Sequence, residues 1–433
     1  MRLYGFLMFF LCVSARLATG EDEPFERTPI SYSTAAPHDA ISLLRNKLAS
    51  GEVRLQGDER QVVRDLLAAL GIPESSQMLV FSKTSFQKDR IEPAHPRAIY
   101  FSDDVYVGWC PGGLVEIAAI DPVLGPVFYS FDPNAIRTGI RFQRDADCLR
   151  CHGGTFVRDI PGLLARSVFT DSSGQLMLAL GSELVDATTP IEKRWGGWYV
   201  TALRAGARHR GNLILTTEHE PTPAELTVGT RLDRLDKLID TRPYLAPSSD
   251  ITALLIFEHQ VSVQNVLTKA NQECLRMLVY QKTLQKELKE TLTEEPTYES
   301  VRHVFANASQ AVLDALLFKD EAPLPEGGIQ GIGGFAKAFD SVSKAEAGVG
   351  SLRQLDFRRR LFKYRCSYLI QSATFDRLQP VLRRRVLQRL FHVLTDPTPE
   401  SRYDYLETKE REGIREILAS SLRNLPVSWR ASN

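Results

Sequence analysis

Cys148-Leu149-Arg150-Cys151-His152 is the one stretch of this sequence whose residue types and spacing specify a definite chemistry. Two thiols separated by two residues lie on nearly the same side of one helical turn, with an imidazole next in line. That arrangement suits covalent attachment of a porphyrin through both vinyl groups, with His152 as the proximal iron ligand. With 6 Cys and 8 His in 433 residues, chance alone yields about 0.002 such motifs. A zinc site would want a second ligand pair at metal-type spacing, and no other CxxC or HxxxH occurs. A redox dithiol of the thioredoxin kind would want a βαβ setting. The expected cofactor is therefore one covalent haem c, held by Cys148 and Cys151.

The flanks suit a flat macrocycle. Gly153-Gly154 permits close backbone approach, and Pro161-Gly162 ends whatever short helix the motif begins. A second axial ligand would set the potential of an electron-transfer centre. His209 is the leading candidate for that distal position. It follows Trp195-Gly196-Gly197-Trp198-Tyr199, whose Trp195 and Trp198 could pack on a porphyrin, while Arg194, Arg204 and Arg208 could pair with propionates. Met177, in an apolar run, and His259, on a helix beside Glu258, are alternatives. An open sixth position is another. His38, His95, His219, His303 and His392 sit among loop or charged residues and read as structural.

The elements that must position these groups divide the chain into a leader (1–20), an arm with short helices (21–95), a β-rich haem-binding region (96–246) and a helical C-terminal region (247–433). Asp39 should open a helix carrying Ile41, Leu44 and Leu48, closed by Gly51, and a second short helix should span Gln61 to Leu70. From Met78 the hydrophobic period changes to that of strands. Short apolar runs at 78–82, 98–101, 105–109, 114–120 and 127–131, punctuated by turn residues, predict an antiparallel meander leading into the haem motif. Two further strands are expected at 167–170 and 176–180. Asp250 should cap a long helix running towards Leu284, with others at 298–318, 356–372, 378–395 and 408–422. The glycine-rich stretch 323–335 reads as a linker, since no strand leads into it and no Gly-Lys-Ser/Thr follows. The fold class expected is α+β.

Lys plus Arg and Asp plus Glu both number 53, so no global field argues for nucleic acid. The runs Arg358–Arg360 and Arg383–Arg385 are expected on solvated faces of amphipathic helices, with docking of an acidic redox partner as the other reading. Arg2, the apolar run Tyr4–Ala15 and Ala18-Thr19-Gly20 have the form of a cleavable export signal, too short to span a bilayer. With no later apolar span, the expected location is the periplasm or another exported compartment. Cys12 would leave with the leader. A bridge between Cys274 and Cys366 is possible, and Cys110 is the third cysteine outside the motif.

Pro96–Phe101 with Asp103–Gly108, the CxxCH, Pro161-Gly162, Arg194–Thr201, Glu258-His259-Gln260 and Arg365–Ile370 together resemble a family of exported, planctomycete-like bacterial proteins with a single cytochrome c-type haem site. The resemblance covers most of the chain after the leader; it implies haem and export, and assigns no reaction. Members of that family often carry Met where Arg210 stands and His where Gln264 stands, so a sixth ligand at either position would be missing here. Three functions are open to such a chain: electron transfer with a redox partner protein, a haem enzyme or sensor with a free sixth position, or a scaffold. A single CxxCH excludes a multihaem reductase or a dihaem peroxidase formed within one chain.

Overall fold

Strand sequences such as Val105-Tyr106-Val107-Gly108-Trp109 are buried at every position, the pattern of a sheet covered on both faces. In the computed structural model, which describes residues 23–433 apart from 136–139, 205–207, 217–218, 220, 223, 226–231, 343–349, 399, 424, 427–428 and 430–433, that is what the sheet is. Six antiparallel strands lie in sequence order: β1 (Met78–Val80), β2 (Arg97–Phe101), β3 (Val105–Trp109), β4 (Val115–Asp121), β5 (Gly125–Phe131) and β6 (Gln143–Arg144). Residues on alternate positions join different cores. Met78, Val80, Ile99, Phe101 and Phe128 face the helical half of the chain. Leu79, Ala98, Tyr100, Val107 and Tyr129 face the N-terminal helices.

Those N-terminal helices are α1 (Ala40–Ser50) and α2 (Glu59–Ala69), and each starts where a carboxylate satisfies free backbone N–H groups. Asp39 accepts from the Ser42 amide at 2.8 Å, and its other oxygen accepts the Tyr129 hydroxyl at 2.6 Å, tying the cap to the sheet. Asp250 caps the helix α4 (Ile251–Glu287), 37 residues long, which covers the opposite face. The chain between 1 and 22, including the expected leader, lies outside the described residues. No helix among the described residues is long and apolar enough to cross a membrane.

The outer edge of β1 is closed by the aromatic segment after Arg194. The Phe81 amide donates to the Gly197 carbonyl at 2.8 Å and the Tyr199 amide to the Leu79 carbonyl at 2.9 Å. Gly196 lies so close to Val168 that an added Cβ would come within 2.9 Å of its backbone, so only glycine fits. Covering an edge in this way removes a site of strand addition.

Three expected elements differ. The run 176–180 is not a strand: β7 (Arg166–Val168) pairs instead with β8 (Ser182–Leu184), and residues 178–180 form a tight turn. The hairpin stops after one bridge, Thr170 to Leu176, because Leu178 is exposed and has no face to cover. The segment 356–372 is not a helix either. Leu355 bridges Phe362 around a tight hairpin whose tip carries Arg358 and Arg359, and Phe357 holds a left-handed φ of 58°. Glu410, nearly buried, draws in Arg360 at 3.5 Å and Arg365 at 2.6 Å. Clustered apolar residues at helical spacing were satisfied here by a hairpin. The end of the expected linker holds a helix instead, α6 (Gly334–Ser341), which buries Phe335 and Phe339. The remaining helices are α5 (Glu299–Leu316), α8 (Pro380–Thr395) and α9 (Thr408–Ser421), with single turns α3 (Leu149–His152) and α7 (Ala373–Asp376).

Candidate functional site

The CxxCH forms one helical turn directly after β6. Asp145 accepts from the Asp147 amide at 2.9 Å and starts the turn, Leu149 packs inward, and the Gly153 amide closes it on the Leu149 carbonyl at 2.8 Å. Cys148 is half-buried and Cys151 exposed, and both are free thiols. Burial, with Asp145 adding to it, pushes the Cys148 thiol up to about 12. A redox dithiol needs the opposite shift, towards an accessible thiolate. Among the described residues no group of three or more His, Cys, Asp and Glu side chains is placed to hold a metal ion by itself. Cys110, Cys274 and Cys366 are buried free thiols, so the possible 274–366 bridge is not formed.

His152 is held on two sides. Its ring packs on Phe128 with centroids 4.7 Å apart. Its Nδ1 lies 2.8 Å from the Gly162 carbonyl oxygen, while the Gly162 amide donates back to the His152 carbonyl, also at 2.8 Å. A carbonyl only accepts, so the ring proton sits on Nδ1 and the Nε2 lone pair is left over. Burial lowers the pKa of His152, which keeps the ring neutral at pH 7. A neutral imidazole whose Nδ1–H is fixed by a backbone carbonyl is the form in which histidine binds metals. The donor set therefore fits a covalently held haem iron: two unpaired thiols and one imidazole nitrogen with a free lone pair.

Gly162 is itself fastened. An added Cβ there would meet Val157 at 2.7 Å and the Asn265 carboxamide at 3.1 Å. Asn265, on α4, brackets the next residue, accepting from the Leu163 amide and donating to the Leu163 carbonyl, both at 2.8 Å. In sequence Pro161-Gly162 signals only the ending of a helix. The contact with His152 spans ten residues of loop and leaves no periodic signal, and nothing local to Asn265 marks it.

The other predicted residues lie in different surroundings. Trp195 and Trp198 are core residues, with the Trp198 indole donating to the Arg166 carbonyl at 2.7 Å. His209 is fully buried against Trp195, its Nδ1 accepting from the Gly211 amide at 3.0 Å, and burial lowers its pKa to about 4. Arg194 pairs with Glu258 at 2.9 Å inside the core, and Arg204 reaches the Gly327 carbonyl at 3.1 Å. Arg208 is exposed. Met177 packs against the small cluster of Phe169, Leu213 and Leu215. Arg210 lies over the Phe169 ring, and Gln264 accepts the Tyr106 hydroxyl at 2.6 Å.

His259 is not solvated beside Glu258, as its place on a helix suggested. It stacks on Phe318 at 4.4 Å and shares a 2.8 Å hydrogen bond with the Ser367 hydroxyl. Burial moves it from 6.5 to about 3, so between those values the folded chain binds fewer protons than the unfolded one. The stability this ring provides is present above pH 6.5 and is lost as pH falls. Relative to the natural chain, His259→Phe should therefore gain about 1.4 kcal/mol for each pH unit below 6.5. Urea unfolding of both proteins at pH 7, 6 and 5 measures this, and a difference independent of pH would refute it.

No protein family, curated protein or solved structure matches the chain.

Proposed function

We propose that this protein carries one haem c on Cys148 and Cys151, with His152 as the axial ligand, and passes single electrons to or from a redox partner protein in the periplasm or another exported compartment. The observation that supports this best is the 2.8 Å hydrogen bond from His152 Nδ1 to the Gly162 carbonyl, which leaves the Nε2 lone pair free for iron. Bound haem supplies one-electron redox chemistry. The chain's own part is to hold the imidazole neutral by burial, fix its tautomer through Gly162 and its plane through Phe128, and leave Arg150 and Cys151 exposed on a face open to a partner.

A second reading, an enzyme or sensor with a free sixth iron position, is favoured by one set of contacts. His209, His259 and Met177, the three candidates for the distal ligand, are each engaged in packing of their own. Visible spectra of the protein purified from a host that attaches haem c distinguish the two. A low-spin spectrum unchanged by carbon monoxide in the reduced state fits electron transfer through a six-coordinate iron. A shift on adding carbon monoxide replaces that reading with the open site, and protein with no covalent haem refutes both.

A further inference from the structure

The segment that follows the CxxCH does more than hold His152. Together with β8, α4 and α5 it encloses a cavity of about 320 Å³. Leu163, Val185, Val261 and Val266 form apolar walls, and three small residues, Ala270, Ala308 and Ala311, keep the facing helices from filling the gap. At roughly 30 Å³ per water-sized group the space takes about ten non-hydrogen atoms.

Four charged residues stand at its rim, and three have partners. Lys269 pairs with Glu273 at 2.6 Å, and the Asp186 carboxylate accepts the Thr188 amide at 2.9 Å and hydroxyl at 2.7 Å. Arg158 makes no ion pair or side-chain hydrogen bond among the described residues. It sits beside Asp159 in two consecutive left-handed conformations, φ 59° and 57°, which non-glycine residues adopt at a cost. An apolar interior with one uncommitted cation at its mouth matches a small molecule with an apolar body and a single negative charge.

Asn265 and Leu163, which line this cavity, also form the hydrogen-bonded chain that ends at His152. We propose that the cavity binds a small apolar-bodied carboxylate anchored by Arg158, and that Asn265, Leu163 and Gly162 relay its presence to His152. The relay rests on the haem reading; the binding site does not. Asn265 is a positioning residue in this scheme, acting on the imidazole through Gly162.

Octanoate, with ten non-hydrogen atoms, is the probe, and octan-1-ol is its uncharged counterpart. Calorimetry on the full chain should show saturable binding of octanoate at one site and weaker binding of octan-1-ol. Arg158→Gln should weaken octanoate by about three- to fivefold, as befits an exposed charge. Ala308→Leu, which fills the space, should weaken it by more than about tenfold. Ala311→Leu, at the rim, repeats that test should Ala308→Leu fail to fold. In haem-loaded protein, saturating octanoate should move the reduction midpoint of the natural chain and leave that of Ala311→Leu unmoved. Absence of saturable binding, or binding indifferent to the leucine variants, overturns the site. Binding that leaves the midpoint fixed overturns the relay. Octanoate binding to a chain that carries no haem would support the cavity while refuting the function proposed above.

Discussion

Protein in which Cys148 and Cys151 are both replaced by serine should carry no haem that survives extraction with acidified acetone, whereas the natural chain should retain all of it. Serine keeps the size and the helical turn, so the change acts on the sulfur atoms alone. Both thiols are free; Cys151 is exposed, and Cys148, half-buried, packs against the edge of the core. Stability of the haem-free natural chain and of the double variant should accordingly differ by no more than about 1 kcal/mol, from the one packed position. Gly162→Ala provides the complementary perturbation. It leaves both sulfurs in place, but its Cβ lies 2.7 Å from Val157, so the carbonyl that orients His152 must shift. Haem should stay attached with an altered axial-ligand spectrum. Equal retention of haem by the double serine variant and the natural chain would sink the attachment.

Arg194→Leu should destabilise the fold by about 3–5 kcal/mol, because it leaves Glu258 buried without its cation. Arg194 and Glu258 have side chains only 6% and 5% exposed, and Arg194 Nε also donates to the Thr189 carbonyl at 2.8 Å. Burial already raises Glu258 to about 7 against the pull of Arg194. A carboxyl group with a raised folded pKa holds its proton more tightly in the native chain, so stability declines as pH rises from 4.5 through 7. Losing Arg194 raises that value further, and the penalty should be largest above pH 7. Adding Glu258→Gln to the variant should restore part of the loss. Urea unfolding at pH 5 and pH 8 tests both statements; a loss below about 1 kcal/mol at pH 8 would show the pair to be dispensable.

Much of this fold is written in local patterns. Asp39 with Gly51 marks both ends of α1, Asp250 starts α4, and the short apolar runs between turn residues from Met78 to Phe131 align as a meander in sequence order. Such features depend on neighbours in sequence, which is why periodicity and capping residues reveal them. The hairpin at 355–362 is different, because its geometry is set by Glu410 drawing in Arg360 and Arg365 from 45 to 50 residues away. At the candidate site the same division holds. The five residues of the motif are contiguous, while Phe128, Gly162 and Asn265 meet His152 or its support only through the tertiary fold. Trp195 and Trp198 illustrate the converse, since aromatic residues beside cations attract a ligand-binding reading, and here they close a sheet edge and fill a core.

The 37 residues of α4 extend roughly 55 Å at 1.5 Å per residue. Along that length Gln260 and Gln264 grip the β2–β3 turn, Asn265 grips the loop after the motif, and Asn271 and Gln272 grip the β4–β5 turn. Farther on, the Gln379 amide fastens to Asn271. A cut at the start of this helix would bare the apolar face of the sheet on one fragment and the matching face of the helix on the other. The CxxCH segment is thus no portable cassette: it is orientated by a beam belonging to the other half of the chain, and sequence change in either half is felt at the imidazole.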